Sequence, residues 1–122
     1  MMDIRRFRGS AVGRNRAVAW NGMVWAVAVA SDASLDVAGQ TAQALGSLER
    51  SLSEAGSDKT RILSAQVFLA DMASKPEMDR VWCEWIGEDW QRWPQRACVG
   101  APLADGHRVE IVLVAAAREA PS

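Results

Sequence analysis

At 122 residues the chain is long enough for one domain and too short for two, and its 49% hydrophobic and 24% charged residues are those of a globular protein. A net charge of −1 and a pI near 5.8 lack the basic excess with which nucleic-acid modules replace phosphate counterions. No apolar run reaches the roughly 18 residues needed to span a bilayer, so neither nucleic acid nor membrane is an expected partner.

Asp3–Arg8 alternates weakly and predicts an edge strand. It opens a basic cluster of Arg5, Arg6, Arg8, Arg14 and Arg16, read as a solvated edge, with an anion site as the other reading. Ala17–Trp20 and Met23–Ala30 flank Asn21-Gly22, a strong hairpin signal. Val24, Ala26, Ala28 and Ala30 should share one face, and Met23, Trp25, Val27 and Val29 the other. Both faces are apolar, so this strand should be covered by helices on one side and a partner on the other. With Asn21 and Gly22 inside it, the apolar stretch Ala17–Ala30 is expected to be neither a membrane span nor a secretory signal.

Ser34 or Asp36 is placed to cap a helix. Ala38, Thr41, Ala42, Leu45, Leu48, Leu52 and Ala55 form its apolar stripe, and Gly56 should end it in the left-handed conformation. Arg61–Ala70 predicts a strand with Leu63, Ala65, Val67 and Leu69 on one face and Ile62, Ser64, Gln66 and Phe68 on the other. Ser74 should cap a second helix with Pro76 in its first turn and Met78, Val81, Trp82, Trp85 and Ile86 buried. Glu88–Gln95 reads as a loop, Ala97–Leu103 as a strand, Asp105-Gly106 as a turn and Arg108–Ala117 as the last strand. Met1-Met2 and Arg118–Ser122 should fray.

Cys83 and Cys98 form no disulfide framework and are expected as thiols in a reducing, cytoplasmic setting. No metal-ligand spacing occurs. His107, the one histidine, follows the turn signal and is expected to be an exposed loop residue.

The segment DVAGQTAQALGSLERSLSEAGSDKTRILSAQVFLADM (Asp36–Met72), MDRVWCEW (Met78–Trp85) and PQRACVGAPLADGHRVEIVLVAAA (Pro94–Ala117) together resemble the RidA/YjgF family of reactive-intermediate deaminases. The resemblance runs over nearly the whole of a single domain, 1–122. It implies an α+β fold of order βββαβαββ, RidA/chorismate-mutase-like, with two helices on one face of a mixed sheet. It also implies a homotrimer with a barrel-like core and pockets in the clefts between subunits. The implied reaction hydrolyses enamines and imines, such as 2-aminoacrylate, to keto acids and ammonia without cofactor or metal.

By the same resemblance Arg96, in Pro-x-Arg, matches the arginine that binds the substrate carboxylate; a guanidinium grips a carboxylate bidentately and keeps its charge. Cys98, two residues on, should share its face. Glu110 matches the glutamate thought to hold the attacking water; a structural ion pair is its other reading. Arg14 stands near the place of a pocket tyrosine, and the chain has no tyrosine. Val27-Ala28-Val29 replaces the family's Ser-Gly-Gln, and Asp79 replaces an asparagine. Trp25, Trp90 and Trp93 are candidates for a more apolar pocket, although core or interface packing is the commoner role for tryptophan. These departures imply a divergent subfamily favouring bulkier apolar substrates, or alternatively a non-catalytic trimer binding small carboxylates. Finally, a tight two-residue turn at Asp105-Gly106 between paired neighbours would put Glu110 opposite Ala101, off the face of Cys98; a bulge, a wider loop or non-neighbouring strands would remove that conflict.

Overall fold

The sharpest local signal is realised where it was read. Trp20 pairs with Met23 across Asn21 and Gly22, whose φ angles of 52° and 77° are those of a two-residue turn that matches strand twist. This is a computed structural model; it describes residues 3–119, and Met1, Met2 and residues 120–122, expected to fray, lie outside them.

The elements run β1 (Arg5–Arg8), β2 (Asn15–Trp20), β3 (Met23–Val29), α1 (Val37–Glu54), β4 (Ile62–Leu69), α2 (Lys75–Ile86), β5 (Gln95–Gly100) and β6 (Val109–Ala116). The order βββαβαββ is the expected one. One six-stranded sheet is formed in the order β1-β2-β3-β6-β4-β5. All neighbours are antiparallel except β4 and β5, which run parallel, as a strand-helix-strand crossover through α2 requires.

Both helices lie on one face. Leu45, Leu48 and Leu52 of α1 and Met78 and Trp82 of α2 are buried with Val24, Ala26, Val67, Leu69, Ile111 and Leu113 of the sheet. Each fully buried leucine stabilises the fold by about 2 kcal/mol relative to exposure. Asp36 caps α1, accepting from the Gly39 N–H at 2.8 Å. At the other end Gly56, with φ of 90°, lets the Ser57 N–H reach Leu52 O at 2.8 Å. The alternation in β3 is as read: Val24 and Ala26 are buried, and Trp25 is exposed on the helix-free face.

Several local expectations are corrected. In β4 the register slips between Ile62 and Ser64, so Ile62 joins Ala65, Val67 and Leu69 in the core while Leu63 is 50% exposed. On α1, Gln40 and Ala44 are buried and Ala42 is exposed. On α2 only Met78 and Trp82 are buried, because Val81, Trp85 and Ile86 sit at the rim of the helical layer. Ser74 makes no side-chain cap; its hydroxyl donates to Asp71 O at 2.6 Å in the turn before the helix. Arg118 is tied down, its N–H donating to Gly56 O at 2.8 Å and its guanidinium to Ser57 O at 2.6 Å. β5 and β6 are not neighbours, since β4 lies between them. Asp105-Gly106 therefore belongs to a crossing segment, not to a hairpin.

Candidate functional site

The sheet divides the expected site residues between its two faces. Along β5, Arg96 lies beside Ala65 and Cys98 beside Val67, both core residues under the helices. Arg96 and Cys98 thus share the helix side. Along β6, Glu110 lies beside Val29 and Phe68, and Phe68 lies beside Val99. Ala65 and Phe68 are an odd number of residues apart on a regular stretch of β4, so their side chains point to opposite faces. Arg96 and Glu110 of one chain accordingly face away from each other.

Arg96 is held at the sheet edge by α2. Its Nη2 donates to Asp79 Oδ1 at 2.5 Å, and its Nη1 lies 3.8 Å from Met78 Sδ. The guanidinium carbon stands 5.2 Å from the centre of the Trp82 ring, a cation–π arrangement. Lys75 Nζ donates to Asp79 Oδ2 at 2.7 Å. The helix builds this cluster: Lys75, Asp79 and Trp82 lie four and three residues apart and so share one face. Burial raises the Asp79 pKa, but hydrogen bonds and charge from Lys75 and Arg96 outweigh it and hold the carboxyl below its usual range. For Cys98 burial dominates and raises the thiol above its usual value, against the lowering effect of Arg96.

Glu110 opens into a hollow of about 230 Å³ on the other face, lined by Ser10, Arg14, Arg16, Val27, Asp105 and His107 among others. Glu110 is half-buried and makes no ion pair with another described residue of its chain. Arg14 is exposed at the rim. Arg16 is committed elsewhere, to Glu54 and to the Ser51 hydroxyl at 2.9 Å. His107 is half-buried and not the free loop residue expected: Nδ1 lies 2.9 Å from Ala104 O and Nε2 3.1 Å from Ala30 O. It fastens the crossing segment, where Asp105 takes a φ of 58°, to the end of β3.

The structure thus brings Arg14, Val27 and Glu110 together, and separately Asp79, Arg96 and Cys98. Trp25 joins neither group; it stands beside Val18 and Val114, 39% exposed, on the apolar face with Val27, Val112 and Phe68. Lys75 and Trp82, which touch Asp79 and Arg96, and His107, which lines the Glu110 hollow, are not among the residues expected at the site. The four-residue spacing of Lys75 and Asp79 was a legible signal, whereas Trp82 read only as core. Among the described residues no group of three or more His, Cys, Asp or Glu side chains is arranged to hold a metal, and no helix is long and apolar enough to cross a membrane.

Two helices on one face of a mixed six-stranded sheet, with Arg96 and Asp79 on the helix side and Glu110 on the other, make an α+β domain of the YjgF type. The model of the family described as endoribonuclease L-PSP matches residues 4–117. A RutC family protein of Haemophilus ducreyi is 41% identical over 99 residues, 80% of this chain and 83% of that protein. One from Haemophilus influenzae is 46% identical over 77 residues, 62% of this chain and 65% of that protein. The crystal structure of NMB1025, a YjgF family member from Neisseria meningitidis, superposes with a TM-score of 0.89 at 40% identity, covering 98% of each chain. The chain belongs to this family, the RidA/YjgF family of the resemblance described above.

Proposed function

We propose that the protein is a homotrimeric hydrolase that converts small, reactive imino acids to keto acids and ammonia, favouring those with bulky apolar side chains. The observation that carries this reading is Arg96, a part-buried guanidinium shelved on Trp82 at an open sheet edge. Such a group is preorganised to grip a carboxylate. The carboxylate needed to orient water is Glu110, on the opposite face. Joining the two requires a second subunit, so the reaction site is the cleft where one chain's Arg96 edge meets the next chain's Glu110 hollow. The helix-free face supports this assembly, because Val18, Trp25, Val27, Val112, Val114 and Phe68 form one contiguous apolar patch that no helix covers. Glu110 would activate water, which adds to the C=N carbon; collapse of that adduct releases ammonia. No metal or cofactor enters this scheme.

The side chains of Val27 and Val29 offer no hydrogen bond to a small polar imine. A polar substrate group left unpartnered there loses on the order of 1–3 kcal/mol, one to two decades in rate. The test is to generate the imines of alanine and of leucine with an amino-acid oxidase and follow their hydrolysis. The leucine-derived imine should be accelerated more. Fast turnover of the alanine-sized imine alone would refute the pocket argument. Acceleration of neither, with keto acids still bound, would establish the second reading, a non-catalytic carboxylate binder. That reading draws on Asp79, which already pairs with the guanidinium. RNA is not a substrate in this proposal: a net charge of −1 gives no basic excess to replace phosphate counterions.

A further inference from the structure

Lys75, Asp79 and Arg96 form a chain of charges in direct contact, cation to carboxylate to cation, at 2.7 Å and 2.5 Å. Their sum is +1. A bound monocarboxylate brings it to zero. A second carboxylate on the same ligand finds no unmatched cation here, and the Asp79 carboxylate repels it. Within the subsite the neighbouring side chains add none, since Met78 and Trp82 are neutral; in the hollow opposite, Glu110 and Asp105 are matched in number by Arg14 and Arg16, and Arg16 is already bound to Glu54. An asparagine at position 79, the residue to which the family resemblance points, would leave the subsite at +2. Asp79 also has both oxygens engaged, so it is fixed beside the guanidinium and cannot swing away without breaking two ion pairs.

We propose that Asp79 is the selectivity residue of the Arg96 subsite, admitting monocarboxylates and turning away dicarboxylates. This rests on the reading of Arg96 as the carboxylate anchor. A unit charge about 7 Å from a second carboxylate, in an effective dielectric of about 30, alters affinity roughly tenfold.

Calorimetric titration with two five-carbon probes, 2-oxopentanoate and 2-oxoglutarate, tests it. The wild type should bind the monoacid at least about tenfold more tightly, and Arg96→Ala should abolish that binding. Asp79→Asn, which keeps the side-chain shape, should move the affinity ratio about tenfold toward the diacid, whereas Asp79→Glu should keep the wild-type preference. A ratio is insensitive to a partial loss of folded protein. An unchanged ratio in Asp79→Asn, with Arg96-dependent binding of the monoacid intact, would overturn this proposal and leave the anchor standing. No binding of the monoacid by the wild type would overturn both.

Discussion

Gln40 is a side chain whose loss should be costly, and the cost can be worked from its partners. It is fully buried on α1. Its amide nitrogen donates to Ala33 O and Leu35 O, each at 3.0 Å, and its oxygen accepts from the Arg108 N–H at 2.8 Å. It therefore clamps the loop before α1 to the residue that leads into β6, two positions before Glu110. Gln40→Leu keeps the volume but leaves two carbonyls and one N–H without their partner. At about 1 kcal/mol each, the low end for groups that water reaches in part, the loss is about 3 kcal/mol. For a domain of this size that corresponds to a melting point lower by roughly 12 °C. Thr41→Val is the matched control. Thr41 is equally buried, but its hydroxyl only doubles an intrahelical contact to Val37 O at 2.7 Å, so its loss should cost less than about 1 kcal/mol. Calorimetry at one fixed protein concentration measures both. A drop of under about 3 °C for Gln40→Leu would mean that water replaces the clamp and that it does not hold the β6 entry.

Light scattering at micromolar protein should give a trimer, and a stable monomer would remove the basis for a site between subunits. Arg96→Lys should weaken keto-acid binding about tenfold or more while the fold survives, since an ammonium lacks the planar fork and stacks less well on Trp82; equal affinity would take Arg96 out of the site. Reassociated mixtures of inactive Arg96→Ala and Glu110→Gln trimers should recover about a quarter of the wild-type rate, because random assembly leaves that share of clefts with both wild-type groups. Zero recovery would place both residues in a single subunit's site. Acid should act through Asp79. Its folded pKa lies below the unfolded value, so its stabilising contribution is full above the unfolded pKa and is lost as pH falls through the folded one. The melting difference between wild type and Asp79→Asn should therefore shrink below about pH 4; a difference that stays constant to pH 2 would show that the ion pairs contribute nothing.

Most of the architecture was legible because local chemistry and periodicity agreed: Asn21-Gly22 between apolar runs, Gly56 after a helical stripe, Pro76 at a helix start. The failures have local causes. Nothing in Ile62-Leu63-Ser64 announces the register slip that turns Ile62 inward, because three residues carry no period of their own. Ala42 follows Ala38 at the four-residue spacing of the stripe, yet it is Ala44, off that spacing, that is buried. Asp105-Gly106 has hairpin wording, yet the chain there passes over to a strand on the far side of β4, which turn chemistry alone does not encode. Candidate site residues could be named one by one from the sequence, but not their geometry. Asp79 and Arg96 sit on different elements, 17 positions apart, and their pairing exists only because α2 returns its chain to the edge of β4.

The separation of Arg96 from Glu110 follows from parity and not from any loop. β4 pairs with β5 and β6 simultaneously, so Ala65 and Phe68 act as a ruler, fixing the face of Arg96 through the first and of Glu110 through the second. Moving either side chain to the other face takes a one-residue slip, which would also carry Cys98 or Ile111 and Leu113 out of the core. Ile111 and Leu113 are fully buried, and exposing both would cost several kcal/mol. The fold therefore forbids one chain from assembling arginine and carboxylate by itself. Within the chain Asp79 supplies a carboxylate to Arg96, so that this part-buried cation is not left without a partner.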